Sequence, residues 1–296
     1  MKRILILFAA LLVLFGCQNK AHHGEGEQSF LDDYGRMINT PTNPQRVVSV
    51  SPAVTEIMFD LGAGELLVGR TDFCNYPEEA LAIESIGGIS NLNIEKIISL
   101  NPDLVISGSM VPETCIKQLA DLGIPVVCII EKEHFENLYE NIARIGTLVG
   151  RQRAADSLNN SLKAQISVLD LDYYERYNGQ DDQYRPTMYY VVGFGKGGDF
   201  TAGANTFINE IIHLAGGKNI AEHNDGWSFS REALLNTNPT YIIIRDEDAD
   251  DFCRTAPYNK LAAVRLGNII RINSGMIDLQ VPRNIEAIKI IHAAIQ

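Results

Sequence analysis

Two carboxylates occupy the same place in two similar stretches of the chain. Glu95 lies in Asn91–Ile106 (NLNIEKIISLNPDLVI), and Glu232 lies in Ser228–Ile244 (SFSREALLNTNPTYIII). In both, a small polar residue precedes the glutamate by two positions, an apolar pair follows, and Asn-Pro comes six and seven residues after it. A glutamate in the first turn of a helix gains about 0.3–1 kcal/mol from the helix dipole. That gain explains each glutamate singly, whereas the repeat indicates either duplication of a lobe or two matching contacts for a two-fold partner with basic pockets.

Aromatic side chains near strand ends are candidates for binding a ligand. The loop Gly69–Pro77 (GRTDFCNYP) carries Phe73 and Tyr76 and is expected at the carboxyl end of a strand, where α/β sheets place ligands. Trp227 precedes the second repeated helix, and Phe194 lies in a glycine-rich loop. Phe73 and Trp227 could hold a large flat ligand between them, since aromatic side chains supply wide apolar contact area. Phe73, Tyr76 and Trp227 could each instead pack within its own lobe, whereas Phe194 is expected in a flexible loop of the cleft.

Other kinds of chemistry have weaker signals. The sequence GFGKGG after a strand matches the dinucleotide-binding pattern, but Asp199–Asn205 separate its last glycine from the next helix. No G-x-S-x-G or nucleophile–histidine pair is evident, so an envelope hydrolase is the less favoured alternative and no catalytic residue is predicted. The histidines are scattered and no CxxC pair occurs, so no metal site is predicted. The pairing of four cysteines is left open, with free thiols expected: Cys74, Cys115, Cys128 and Cys253.

The elements that must position these residues alternate between strand and helix in both halves, which predicts two similar α/β lobes with mainly parallel sheets. Asn93 and Ser230 are the expected N-caps of the repeated helices, and the following prolines end them. In the first half we expect strands at 46–51, 67–69, 104–106 and 126–130, with further helices at 55–61 and 115–122. In the second half we expect strands at 187–192, 241–244 and 268–272, with further helices at 206–214 and 282–295.

A long helical stretch between the halves is expected to join the lobes. It runs over roughly 134–177, and Gly146 and Gly150 indicate a break within it. The predicted organisation is therefore an N-terminal lobe at 46–150, a linking helix at 151–178 and a C-terminal lobe at 179–296. A rigid linker favours small lobe movements, and the crevice between two such lobes is the default place for a ligand.

The N-terminus has the features of an export signal. An apolar run of twelve residues, Ile4–Phe15, follows Lys2-Arg3. A run of this length is too short to span a bilayer but is typical of a signal peptide. The sequence Leu14–Cys17 resembles a bacterial lipoprotein processing site, which predicts a signal peptide at 1–16, a lipidated Cys17, and a tether and lead-in at 17–45. The mature protein would then be a membrane-anchored lipoprotein of the cell envelope, facing the periplasm or the exterior.

The charge of the mature chain limits its partners. Loss of Lys2 and Arg3 leaves 23 of the 25 basic residues against 37 acidic ones, a net charge of −14. Such a charge disfavours nucleic acid and suits a partner with basic residues. The lipid is the only membrane contact expected.

Three motifs together resemble those of one known family. They are Ser51-Pro-Ala-Val-Thr-Glu56, Asn93-Ile-Glu95 with Asn101-Pro-Asp103, and Ser230-Arg-Glu232. The chain is similar over roughly 46–294 to the substrate-binding proteins of ABC importers for iron–chelate and cobalamin compounds, the helical-backbone or class III periplasmic binding proteins. The resemblance implies a receptor without resident cofactor, whose two lobe glutamates, here Glu95 and Glu232, contact arginines of a permease dimer that works with ATPase subunits.

The loop Thr71–Pro77 resembles the cobalamin-binding branch, in which the aromatic at the Phe73 position faces the corrin. That branch can place tryptophans where this chain has Ile89-Ser90 and Gly108-Ser109. The loop at Ser274 is also less aromatic and less acidic than in that branch. A corrinoid is the expected ligand, with a ferric siderophore or haem as alternatives.

Overall fold

The computed structural model describes residues 26–109, 111–177 and 184–296. The predicted signal peptide, Cys17 and most of the tether lie outside these residues. The strands are β1 (Glu27–Leu31), β2 (Met37–Pro41), β3 (Val47–Ser49), β4 (Leu67–Arg70), β5 (Gly87–Gly88), β6 (Asn91–Leu92), β7 (Leu104–Ser107), β8 (Val126–Cys128), β9 (Thr187–Val191), β10 (Asp199–Phe200), β11 (Lys218–Asn219), β12 (Ser228–Phe229), β13 (Tyr241–Arg245) and β14 (Ile269–Ile272).

The helices cover the sheets and join the lobes. They are α1 (Pro52–Asp60), α2 (Ile94–Ser99), α3 (Glu113–Asp121), α4 (Glu136–Leu148), α5 (Gln152–Tyr177), α6 (Phe207–Leu214), α7 (Arg231–Thr237), α8 (Asp246–Arg254), α9 (Ala262–Leu266), α10 (Ser274–Ile277) and α11 (Asn284–Ala294). Short 3₁₀ turns lie at Gly64–Leu66, Glu78–Ala82 and Tyr258–Lys260.

Both lobes contain a four-stranded parallel sheet with the same connectivity. The order is β4-β3-β7-β8 in the N-terminal lobe and β11-β9-β13-β14 in the C-terminal lobe. In each, the first strand of the lobe is central, the second lies at one edge, and the third and fourth continue on the other side. Parallel sheets need helices on both faces, and their strands are accordingly buried and rich in Val and Ile. The predicted fold of two similar α/β lobes is confirmed.

The two repeated stretches form the same local structure. The Asn93 side chain accepts a hydrogen bond from the Lys96 amide at 2.9 Å, and Ser230 accepts one from the Ala233 amide at 3.3 Å, so both expected N-caps are present. After each helix, the asparagine of Asn-Pro adopts a left-handed conformation, with φ of 49° at Asn101 and 48° at Asn238. Asparagine tolerates this conformation better than most residues, and the following proline cannot continue a helix. Asn-Pro therefore ends the helix and turns the chain into the next strand.

Helix α5 lies between the lobes and contacts α4 on one side and α6 and α11 on the other. The predicted break occurs where Gly150 adopts a φ of +67°. At Gly146 a Cβ atom would lie 2.6 Å from the Ala155 Cβ, so glycine permits the close packing of α4 on α5. One hydrophobic cluster runs from β3 and α1 through α4 and α5 to α6 and α11. The lobes thus share a core on the side of the linking helix.

An antiparallel hairpin, β1–β2, precedes the first lobe within the segment predicted as a lead-in. Its turn binds the exposed edge of the N-terminal sheet: the Asp33 amide donates to the Cys128 carbonyl at 3.0 Å, and Arg144 Nη1 contacts Asp33 Oδ2 at 2.6 Å. The hairpin therefore covers the backbone groups of an edge strand, which would otherwise be open to pairing with another chain.

Candidate functional site

The carboxyl ends of both sheets face one cavity of about 840 Å³ between the lobes. Its walls are loops that follow strands of both sheets, as expected for α/β proteins. The N-terminal lobe contributes the residues after β3, β4, β7 and β8, and the C-terminal lobe contributes those after β13 and β14. A volume of this size lies within the range of small-molecule sites.

The aromatic loop after β4 forms part of the N-terminal wall. Phe73 and Tyr76 both line the cavity and are 60% and 43% exposed. Buried Arg70 fixes the backbone of the loop, because its guanidinium donates hydrogen bonds to the carbonyls of Ala80 at 2.8 Å and Thr71 at 2.9 Å. Buried Cys74 contacts the Thr71 hydroxyl at 3.2 Å. These anchors leave the Phe73 ring directed to solvent, where a ligand can cover it, whereas one face of the Tyr76 ring is already in contact with a guanidinium group.

The motif Ser51–Glu56 begins α1 and binds the two lobes together. Ser51 is the N-cap, and the Thr55 hydroxyl donates to Ser49 Oγ at 2.8 Å inside the lobe. The Glu56 carboxylate accepts two hydrogen bonds from Arg283, from Nε to Oε1 and from Nη2 to Oε2, each at 2.7 Å. The Glu56 side chain is only 2% exposed. Arg283 immediately precedes α11 in the opposite lobe, so this bidentate ion pair crosses between the lobes. Burial raises the pKa of Glu56, and the guanidinium opposes that rise.

Arg283 also covers the ring of Tyr76, with its Cζ atom 3.5 Å from the ring centroid. Cation–π contacts of this kind favour a fixed ring orientation. One C-terminal-lobe side chain thus holds both the start of α1 and one aromatic of the N-terminal wall.

The C-terminal wall contains a second ion cluster. Arg245, at the end of β13, lies 3.2 Å from Asp248 and 3.8 Å from Asp278, and it also donates to the Val192 carbonyl. The Tyr190 hydroxyl donates to Asp278. Burial raises the pKa of Asp278 despite these partners. Both arginines that line the cavity are therefore already bound to carboxylates of the protein.

Two further carboxyl groups line the cavity from opposite lobes. Glu131 follows β8, and Glu247 lies in the first turn of α8. Burial raises the pKa of Glu131 to about 7. Neither side chain has a hydrogen-bond or ion-pair partner in the part of the chain that the structure describes.

The other two predicted ligand contacts lie away from the cavity lining. Phe194 packs edge-on against Phe252 and Tyr258, which stack on each other, with centroid distances of 5.2 and 5.7 Å, because its loop folds back on the lobe. The Tyr258 hydroxyl accepts from the Gly195 amide at 3.0 Å and holds the loop there. Trp227 is 45% exposed just before β12, and the structure does not bring it together with Phe73.

The repeated glutamates occupy corresponding exposed positions in the first turns of α2 and α7. The basic residue next to each one is engaged elsewhere. Lys96 forms an ion pair with Glu84, and Arg231 Nε contacts Asp199 Oδ2 at 2.8 Å. Among the described residues, neither Glu95 nor Glu232 has an ion-pair partner, so both carboxylates are available to a partner protein.

Neither a metal cluster nor a membrane-spanning helix is present in the described ranges. The described ranges contain no group of three or more His, Cys, Asp or Glu side chains placed to hold a metal ion. Across the same ranges, no helix combines the length and apolar character needed to cross a bilayer. The four cysteines after Cys17 are free thiols, two buried and two half-buried.

Two lobes with a shared helical connection and a ligand-sized cavity define a solute-binding protein. A sequence profile described as periplasmic binding protein matches residues 47–275, and the chain belongs to this family. It is an ABC transporter substrate-binding protein, and its family consists of substrate-binding proteins and not of enzymes.

Three similar proteins illustrate the range of the family. An ABC transporter substrate-binding lipoprotein, YvrC of Bacillus subtilis, whose function is uncharacterised, is 28% identical over 96% of this chain and 93% of its own length. A cobalamin-binding protein of Halobacterium salinarum is 28% identical over 84% of this chain and 69% of its own. A periplasmic haem-binding protein of Pseudomonas aeruginosa has the same fold, with a TM-score of 0.75 at 24% identity over 85% of this chain and 92% of its own.

Sequence reasoning missed most of the polar lining of the cavity. Arg245, Glu131 and Arg283 carry a local signal, since the first two lie at or shortly after the carboxyl end of a strand and Arg283 lies just before a helix. Asp278 follows α10 and carries no such signal. Glu56 belongs to the motif Ser51–Glu56, but its partner is 227 residues away and no local pattern indicates such a pair.

Proposed function

We propose that this chain is the lipid-anchored receptor of an ABC importer, which captures a corrinoid between its lobes and delivers it to a permease dimer. The observation that carries the proposal is the combination of a cavity between the lobes with one unpaired glutamate at the same position of each lobe. The protein would act by binding alone, without a resident cofactor. ATP hydrolysis in the partner ATPase subunits would supply the energy for transport.

The cavity supports a large and partly flat ligand. Phe73 and Tyr76 provide exposed ring surface on the N-terminal wall. The positions at Ile89-Ser90 and Gly108-Ser109 also line the cavity, and none of these four residues is aromatic. A cobalamin-binding relative matching 84% of this chain favours a corrinoid. Haem or a ferric siderophore is the alternative within the same fold, and a haem-binding protein with a TM-score of 0.75 supports keeping it.

Delivery would use Glu95 and Glu232. Lys96 and Arg231 are each paired with another acid, so the glutamates keep their full charge for a partner. A two-fold permease with one basic pocket on each subunit would bind both lobes at once, and charge pairing of this kind sets both orientation and encounter rate. Because the two lobes share a hydrophobic core, we expect them to tilt only slightly relative to one another. Such limited movement would suit a receptor that docks as a nearly rigid body.

Uptake of radiolabelled cobalamin by cells that carry the receptor and its importer tests the docking step. We expect the double variant Glu95→Ala/Glu232→Ala to abolish uptake while the affinity of the purified protein for cobalamin is unchanged. Glu113→Ala is the matched control, because Glu113 is also an exposed first-turn glutamate of a helix, α3, in the N-terminal lobe. Normal uptake by the double variant would refute docking through these residues.

Anchoring would depend on Cys17, and the match to a relative named as a lipoprotein supports it. We expect cells given radiolabelled palmitate to label the unaltered protein and not Cys17→Ser. Absence of label from the unaltered protein, or equal labelling of both, would exclude a lipid on Cys17.

A further inference from the structure

The cations around the cavity are already paired with protein carboxylates. Arg283 is bound to Glu56 by two hydrogen bonds of 2.7 Å, and Arg245 lies between Asp248 and Asp278. Lys132, next to Glu131 in sequence, is directed at Asp33 at 3.6 Å and Glu140 at 3.9 Å. A ligand that carries carboxylates would have to displace one of these internal partners, which would leave a protein carboxylate without its cation.

The acids of the cavity outnumber its bases. Two of the four lining acids are held by the arginines, and the other two, Glu131 and Glu247, have no cationic partner among the described residues. Glu131 is half-buried where β8 ends, and Glu247 faces the same space from α8. His134, three residues beyond Glu131, is engaged with Glu210 at 2.9 Å. Among the charged groups that line the cavity, those left without a partner are therefore carboxyl groups, and the rest of its polar lining is uncharged, as at Asn75, Ser90 and Ser109.

We propose that Glu131, with Glu247 on the opposite lobe, selects ligands whose periphery presents neutral hydrogen-bond donors and rejects the same framework when it presents carboxylates. This inference rests on the proposed function, because a corrin ring carries primary amides around its edge. A carboxylate at Glu131 accepts a hydrogen bond from an amide N–H group, whereas a second carboxylate in that place would repel it. By the same reasoning, haem and polyanionic ferric siderophores are poorly matched to this cavity.

The inference has a pH signature. Burial raises the pKa of Glu131 to about 7, so the group is largely ionised at pH 8 and largely protonated at pH 5.5. Rejection of a carboxylate ligand should accordingly be strong at pH 8 and weak at pH 5.5. Binding of the amide ligand should change less, since a protonated carboxyl group still has an oxygen that accepts a hydrogen bond.

The test compares two ligands that differ in one group. Cyanocobalamin and its separated monocarboxylate isomers, in which one peripheral amide is hydrolysed, are titrated calorimetrically into the full chain in detergent micelles. At pH 8 we expect at least one isomer to bind at least about tenfold more weakly than cyanocobalamin, a difference of about 1.4 kcal/mol. At pH 5.5 the ratio of the dissociation constant of that isomer to that of cyanocobalamin should be smaller than at pH 8. In Glu131→Gln this ratio of dissociation constants should be close to one at both pH values.

Glu133→Gln is the matched control, because Glu133 is exposed two residues away and does not line the cavity. It should discriminate like the unaltered protein. Equal binding of amide and carboxylate ligands at pH 8, or equal discrimination by Glu131→Gln and Glu133→Gln, would overturn the inference while leaving the corrinoid assignment intact. If cyanocobalamin itself does not bind, the corrinoid assignment fails. The inference then predicts that haemin dimethyl ester binds more tightly than haemin, and the reverse order would overturn it.

Discussion

The bidentate ion pair between Glu56 and Arg283 connects the two lobes at the cavity. Arg283→Met keeps much of the side-chain length and removes the charge. It leaves Glu56, 2% exposed, without its cation, and removal of one partner from a buried pair costs about 3–5 kcal/mol. Asp60, one turn along α1, adds repulsion to the uncompensated charge.

Protonation of Glu56 limits that cost, and the limit depends on pH. The ordinary pKa of the group is 4.5, so keeping it protonated costs about 4.8 kcal/mol at pH 8 and about 1.4 kcal/mol at pH 5.5, at 1.36 kcal/mol for each pH unit. In the variant the folded-state pKa of Glu56 rises further above the unfolded value. The variant therefore loses stability as the pH rises from about 4.5 through that folded-state pKa. We expect a loss of about 3–5 kcal/mol at pH 8 and about 1–2 kcal/mol at pH 5.5.

Urea unfolding followed by circular dichroism at both pH values measures these losses. Arg254→Met is the matched control, because Arg254 pairs with Asp251 at 2.9 Å while both side chains are more than two-thirds exposed. Exposed pairs contribute about 0–1 kcal/mol, so this control should change little at either pH. Addition of Glu56→Gln to Arg283→Met should recover most of the loss at pH 8. The reasoning is refuted if Arg283→Met resembles Arg254→Met, or if its cost is the same at both pH values.

Three further outcomes are expected from stability measurements by urea or thermal unfolding. Gly203→Ala should destabilise the protein by about 1–3 kcal/mol, because its Cβ would collide with the Asn224 and Gly226 carbonyls. Gly197→Ala has open space around the new Cβ and should cost far less. Equal losses of stability in the two variants would contradict the collision at Gly203. Asn101→Ala should cost about 1–2 kcal/mol and Asn101→Gly much less, since φ is 49° there; the opposite order would exclude a role for the left-handed conformation. Burial raises the pKa of Glu131 to about 7. Between pH 4.5 and pH 8 the free energy of unfolding of the unaltered protein should therefore fall by about 1–3 kcal/mol relative to that of Glu131→Gln. Parallel profiles of unfolding free energy against pH for the two proteins would argue against that raised pKa.

The sequence was sufficient for the architecture because each element has a local cause. The caps at Asn93 and Ser230, the prolines after each helix and the buried apolar strands are all short-range signals, and the structure contains all of them. The position of the Phe73 loop also followed from a local rule, since it comes directly after β4. The β1–β2 hairpin was missed because its apolar residues are adjacent in the sequence and do not alternate with polar ones: Phe30 and Ile38 pack on the core, whereas their neighbours Leu31 and Met37 are exposed.

The cavity was less predictable because it depends on residues far apart in the chain. Glu56 and Arg283 meet across 227 positions, and no periodicity or spacing indicates such a contact. Whether an aromatic residue faces a ligand or its own core also depends on how a loop folds back. Phe194 illustrates this point, because its ring packs against the stacked pair of Phe252 and Tyr258 and does not line the cavity.

Ligand binding itself is the most direct test of the proposed function. The chain from Gln18 onward should be titrated calorimetrically with cyanocobalamin, with haemin as the comparison. We predict saturable one-to-one binding of cyanocobalamin that is weakened by Phe73→Ala, and markedly weaker binding of haemin. Tight binding of haemin without any heat from cyanocobalamin would contradict the corrinoid assignment.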